Sequence, residues 1–474
     1  MQARKLTIQR RSGHIVVIAI LTAILCTTVL AAAAAPARPI ALDKPAAPTG
    51  ALAPAGPVLI ITLHYASETF SLVDIQAQTG YTTGSGSPID PQDSYTLLLL
   101  DAAGRALVTQ QFAVGKVLWD APILGEFEGH EKGMITPDVL EPAIIVPDLA
   151  DATAFEIYDL NGNLKLHVAD LPAHISRRPV PEAPTAGEDI STPCCGDSCL
   201  DILFLGDDYT TQASLDTFRA DVAFMANYFR QVTPFNSRPN RVNIRALPST
   251  QDLQCNYGCF GNPRLVCCND TMVAVQASQV PHDKVVVLIN NDTYGGSGGV
   301  NYSTAYHRTP QYGPQVMIHE FAHSFALLGD EYSFGPYTGS VLPRYNCDDN
   351  PACPRWFGLP GTSCIPGCTY DEWSRATDDC LMLRIRTEPA SGTFCPVCRL
   401  LINGALDGFS DQWSDTNCDG ATDVLDVTRV GQAWNDFVQL GVYDSNFDVD
   451  NAGSGDGDID VIDVVLVASR FALP

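Results

Sequence analysis

His319, Glu320 and His323 form an HExxH pentapeptide inside an apolar, helix-periodic run over residues 317–332. On a helix, positions i and i+4 share a face, so both imidazoles can reach one metal ion. Zinc is the metal this pattern takes, with Glu320 placed to accept a proton from an activated water. Met317, Ile318, Phe321, Phe325 and Leu328 supply apolar anchoring, and Gly329 is the expected end of the helix. The chemistry implied is that of a zinc hydrolase.

A hydrolytic zinc keeps three protein ligands and one water. A glutamate on a second helix is one source of the third ligand. Here Glu331 is followed by no further glutamate until Glu372, and the interval is rich in Gly, Pro and Cys. The other source is a residue just past the end of the first helix. Asp330, seven residues beyond His323, suits that design, with Glu331 as its rival. Met382 in the run DCLML is placed to form a thioether floor beneath the metal.

The elements that must hold these residues begin near residue 200. Residues 200–205 read as a buried strand, followed by a helix with Leu215, Phe218, Val222, Met225, Tyr228 and Phe229 on one side. Residues 241–247 and 284–289 are further strands, the latter apolar enough to be central. The glycine-rich run 295–299 lacks the Lys-Ser/Thr ending of a phosphate loop and reads as a flexible rim beside the cleft. Upstream, residues 57–175 carry alternating apolar runs, at 58–63, 95–100, 143–146 and 154–158, split by turn residues. That is a β-sandwich pattern without a catalytic constellation, and its lone His130 and His167 read as surface residues.

The motifs HEFAHSFALLGDEY, LFLGDDYT, YGGSGG, CLM and FCPVC together resemble the IgA-specific metallopeptidase family, the igalysins. The likeness runs over about residues 195–405, and residues 57–175 look like that family's N-terminal β-domain. It implies a metzincin-like zinc endopeptidase with His319, His323 and Asp330 as zinc ligands, Glu320 as general base and Met382 as the methionine-turn residue. Ala322 and Ala326 stand where the family usually has glycine, and Gly329 where it usually has alanine. Immunoglobulin as substrate does not carry over; a protein or peptide substrate does.

An acidic tail follows. Asp415, Asn417, Asp419, Asp423 and Asp426, with Gly420, fall at EF-hand-like loop positions. Asp448, Asp450, Asp456, Asp460 and Asp463 form a second unit with an insertion, and each loop leads into an apolar helix, 427–434 and 464–471. Paired loops of this kind resemble dockerin domains, which fold on calcium and bind a cohesin partner. An assembly or attachment protein, with the peptidase-like part weakly active or inactive, is therefore the alternative function. A sugar-binding sandwich has only analogy of fold behind it.

The chain has 474 residues and a formal net charge of -26. That length calls for several domains, and that charge argues against nucleic acid or an anionic membrane as partner. Residues 1–35 read as an export signal, with a basic start, an apolar stretch and A-x-A cleavage choices. An uncleaved anchor is the rival; after cleavage no stable span is expected. Sixteen cysteines are present, most of them crowded between Cys194 and Cys398. In a secreted or cell-surface protein the fifteen that remain after the signal is removed read as disulfides, with one thiol left over. CPVC could also be a redox motif or half of a structural zinc site, but lacking a reducing setting or a matching second pair it is read as a disulfide too. The expected architecture is multidomain: signal 1–35, linker 36–56, β-sandwich 57–175, linker 176–193, α/β zinc peptidase 194–408, and an α-helical, dockerin-like calcium domain 411–474.

Overall fold

The computed structural model describes residues 55–474 apart from 84–92, 121–133, 178–186, 192–198, 239–240, 300, 307–311, 340, 386–392, 408, 410–422, 441–446, 448–458 and 470–474. The export signal, most of both linkers and Asp415, Asn417, Asp419, Asp448, Asp450 and Asp456 lie outside the described residues. None of the described helices is long and apolar enough to cross a membrane.

The alternating runs of the first half build two sheets. Gly56–Ala66 pairs antiparallel with Thr69–Gly80 and with Ala143–Pro147. The second sheet runs in the order Leu164–Ala169, Ala154–Asp159, Ser94–Leu100, Ala106–Ala113. Because side chains alternate along a strand, each sheet turns one apolar face inward. Leu59, Ile61 and Leu63 from one sheet share a core with Leu97, Leu99, Phe155 and Ile157 from the other. A second face of the first sheet, at Val58, Ile60 and Ile145, packs on Ala274 of the next region.

The α/β region is organised on Leu200–Asp207, which is buried along its whole length. It lies parallel to Val242–Leu247 on one side and Lys284–Ile289 on the other. A continuous apolar strand needs cover on both faces. Ile202, Phe204, Val286 and Leu288 pack toward Phe218 and Val222 of helix Gln212–Phe229 and toward Phe321. Leu203, Leu205, Val285 and Val287 pack the other way, on Val273 and Ala277 of helix Asp270–Ala277. Thr211 and Ser214 start the first helix with reciprocal hydrogen bonds between side chain and backbone.

Three expectations change here. The glycine-rich run is not a flexible rim: Gly296–Gly298 is a buried strand paired antiparallel with Tyr302–Tyr306. The histidine helix ends earlier than Gly329. It spans Gly313–Ala326, and Leu327 makes the left-handed turn at φ 53°. Nor does the 57–175 segment keep clear of the site. Leu118–Asp120 leaves the sandwich sheets and pairs antiparallel with Gly296–Gly298, extending the α/β sheet.

Four disulfides staple the α/β region among the described residues: Cys255–Cys268, Cys259–Cys267, Cys347–Cys368 and Cys353–Cys364. In the tail, helices Val424–Leu440 and Val461–Ser469 start earlier than expected and enclose Val430, Ala433, Ile459 and Val467.

At the start of Lys284–Ile289, burial pushes the Asp283 carboxyl up to about 7, against the hydrogen bond it accepts from the Asp201 N–H. A carboxyl raised in the folded state favours folding while it is protonated, and that contribution is lost as pH rises through about 7. Asp283→Asn is therefore expected to gain stability relative to wild type as pH rises from 5 to 8. Urea midpoints of both proteins across that range check it; a difference constant with pH contradicts it.

Candidate metal centre

Each residue of the histidine helix is buried, so it runs through the core. Polar tethers fix its rotation against the sheet. Ser303 donates through Oγ to the Glu320 carbonyl at 3.0 Å, and Lys284 Nζ donates to the Ser324 carbonyl at 2.7 Å. Gly298 lets the neighbouring strand come close. A Cβ there would stand 2.5 Å from the His323 Cβ, and one on Gly296 would stand 2.8 Å from the Thr304 carbonyl oxygen.

The imidazoles are held at their far nitrogens. His319 Nδ1 lies 2.9 Å from the Leu381 carbonyl, and His323 Nδ1 lies 2.7 Å from the Leu328 carbonyl. A carbonyl only accepts, so each Nδ1 carries a proton, and in the neutral imidazole each Nε2 then presents a lone pair. The two Nε2 atoms are 3.0 Å apart. Asp330 Oδ1 lies 2.9 Å from one and 3.4 Å from the other. Neither Asp330 oxygen accepts a hydrogen bond, although both are buried. Three electron-pair donors converging without a proton between them fit a cation, and an N₂O set of this kind fits zinc.

Asp330 and Glu331 diverge. Glu331 turns its carboxylate away from the imidazoles, toward the thiols of Cys395 and Cys398. Its backbone N–H donates to the Met382 carbonyl at 2.9 Å, and the Met382 side chain is fully buried. The Leu381–Met382 turn thus holds both His319 and the segment carrying Asp330.

Glu320 Oε2 lies 4.0 Å from His323 Nε2, further than Asp330 Oδ1, and neither of its oxygens is hydrogen-bonded. Burial pushes its carboxyl well above the ordinary range; Asp330 and Asp120 add to this and Arg264 opposes it. Burial also holds His323 below its ordinary value, with Asp330 opposing. For Asp330 burial acts upward, yet His323 and His319, when protonated, hold its carboxyl below the ordinary value through charge and hydrogen bonding.

Two site residues come from the sandwich segment and carried no signal in the sequence. Trp119 stacks on His323 with ring centroids 5.0 Å apart and planes 5° from parallel. Asp120 accepts from Asn262 Nδ2 at 2.7 Å and pairs with Arg264 at 2.7 Å. Its carboxyl is pushed up to about 6, chiefly by burial, against the Arg264 charge. A cavity of about 500 Å³ is lined by Leu118, Phe260, Cys268, Asp270 and Tyr302, and neither His319 nor His323 lines it.

The CPVC expectation is overturned. Cys380, Cys395 and Cys398 are unbonded and buried, with the Cys380 and Cys398 sulfurs 3.7 Å apart. Local spacing pairs Cys395 with Cys398, but both meet Cys380 and Glu331, which no local pattern links to them. In the tail, Asp426 accepts from the Asp423 N–H at 2.8 Å, and Asp463 accepts from the Asp460 N–H at 2.8 Å.

Residues 192–348 match the family model described as IgA Peptidase M64. The match contains His319, Glu320, His323 and Asp330 and stops short of Met382 and the three free cysteines. No curated protein matches the chain. The 192–348 segment, and the histidine cluster within it, belongs to the IgA peptidase M64 family of metallopeptidases.

Proposed function

We propose that the chain is a zinc endopeptidase in which His319, His323 and Asp330 hold the metal and Glu320 is the general base. The observation that carries this reading is the pair of Nε2 lone pairs facing each other at 3.0 Å with Asp330 Oδ1 beside them. A bound cation relieves that arrangement. Zinc, when bound, acidifies water and polarises the scissile carbonyl.

The chain's own residues supply the rest. The Leu381 and Leu328 carbonyls fix the imidazole tautomers and orientation. Glu320 takes a proton on its carboxylate and returns it to the leaving amine; its apolar burial raises its basicity for that task. Met382 forms the floor. Because the cluster lies beneath Trp119, a peptide reaches it when the Leu118–Asp120 strand gives way. The metzincin likeness rests on the helix, the turn-borne third ligand and the buried methionine.

Asp330→Ala is expected to lose zinc affinity by about 10-fold or more, since it removes a ligand rather than an outer partner. Zinc competition against a chromogenic chelator reads this. Affinity unchanged from wild type assigns the third ligand elsewhere.

The tail is read as a calcium-binding, dockerin-like unit that places an exported peptidase on a cohesin-type partner. Its support is the repeated aspartate pattern of Asp423/Asp426 and Asp460/Asp463, with exposed apolar pairs at the matching places, Val424–Leu425 and Val461–Ile462. The attachment role alone, without proteolysis, is the reading left if the histidine cluster proves inert.

A further inference from the structure

A second set of metal-ligating side chains lies behind the histidine cluster. The Sγ atoms of Cys380, Cys395 and Cys398 and a carboxylate oxygen of Glu331 all lie within 4.8 Å of one another, and all four residues are buried. Cys380 and Cys398 sulfurs are 3.7 Å apart; Glu331 Oε1 is 3.4 Å from the Cys395 sulfur and 3.0 Å from that of Cys398. A disulfide would require about 2.0 Å between sulfurs. Tetrahedral zinc, with bonds of about 2.3 Å to sulfur and 2.0–2.2 Å to oxygen, spaces its ligand atoms about 3.5–3.8 Å apart. The 3.7 and 3.4 Å separations are close to that frame, and the 3.0 Å one is shorter.

Three further features point the same way. Cys395 sits at the N-cap of helix Pro396–Leu406, where backbone dipoles favour a thiolate. Its own N–H points at the Cys380 sulfur at 3.2 Å, and the Cys398 N–H points at the Cys395 sulfur at 3.4 Å. Such N–H groups stabilise sulfur-borne charge around a bound cation. Glu331 Oε2 is buried and accepts no hydrogen bond, an expense that a cation removes. The rest of the region ties its described cysteines into disulfides, so three buried thiols left together stand apart.

We propose that Cys380, Cys395, Cys398 and Glu331 form a second, structural zinc site, separate from the histidine cluster. Soft thiolates select zinc over the hard divalent cations, and a closed four-ligand set leaves no position for water or substrate. On binding, the thiols release their protons. The site braces the first one from behind. Glu331 follows Asp330 in sequence and donates its N–H to Met382, while Cys380 precedes Leu381, whose carbonyl holds His319.

Cobalt(II) substitution tests the site, because only a thiolate-ligated ion gives an intense sulfur-to-cobalt charge-transfer band. The full chain loaded with cobalt is expected to show that band, and a His319→Ala/His323→Ala variant is expected to keep it. Cys398→Ser is expected to lose most of it and to bind one equivalent of zinc fewer than wild type. Should a variant fail to fold, the band in wild type is still decisive. Absence of the band in wild type, or a disulfide between any two of the three cysteines in mass spectra of protein alkylated on unfolding, overturns the proposal. Since the histidine cluster has no sulfur ligand, failure here leaves the peptidase reading standing.

Discussion

Glu320→Gln is expected to slow peptide hydrolysis by about 10²–10⁴-fold, the range for removing a general acid–base group. Zinc is expected to stay bound, because Asp330 Oδ1, at 2.9 and 3.4 Å from the two imidazoles, is the nearer oxygen. Glutamine keeps the volume of the buried side chain and removes only its ability to carry a proton. Its two oxygens have no hydrogen bond to lose. The variant therefore separates proton transfer from packing. Loss of zinc together with activity would make Glu320 a ligand. Full activity would put the base elsewhere.

Gly298→Ala carries the second large effect. The added Cβ would lie 2.5 Å from the His323 Cβ and 2.6 Å from its ring. Rotating a side chain cannot resolve a clash with a Cβ, so the strand and the histidine helix must separate. Trp119, stacked on the same imidazole and paired in register with Gly298, is carried along. Overpacking of this sort costs about 1–3 kcal/mol. A displacement near 1 Å at a catalytic group costs about 10²-fold in rate. Urea unfolding and turnover of the variant check both; wild-type values in both would show that the strand does not press on His323.

Much of the site was legible because it is local. The HExxH spacing and its apolar periodicity specify one helix face, and alternation in residues 57–175 specifies strands whatever they pack on. The choice between Asp330 and Glu331 was not local. Neighbouring residues in an extended segment face opposite ways, so one carboxylate meets the imidazoles and the other meets the thiols. Which goes where is decided by the Met382 carbonyl, distant in sequence.

The glycine run misled for a physical reason. Glycine serves flexible loops and close packing alike, and only the neighbouring helix shows which. Leu327 shows the reverse: a residue that ordinarily avoids the left-handed region is held there by its surroundings, so the helix stops at Ala326, short of Gly329. Leu118–Asp120 had no signal at all. A strand of three residues has no period to detect, and its partner lies far along the chain.

The most direct measurement is peptide-bond cleavage and zinc content determined together on the same preparations of wild type, Glu320→Gln and His323→Ala. Cleavage is read as new N-termini in a mixture of unfolded proteins. Wild type is expected to cleave, to stop on chelation and to resume with zinc. Glu320→Gln is expected to hold as much zinc at the histidine cluster and to cleave at background, and His323→Ala to lose both. Cleavage by Glu320→Gln or by His323→Ala at the wild-type rate would contradict the assignment of this cluster as the hydrolytic centre.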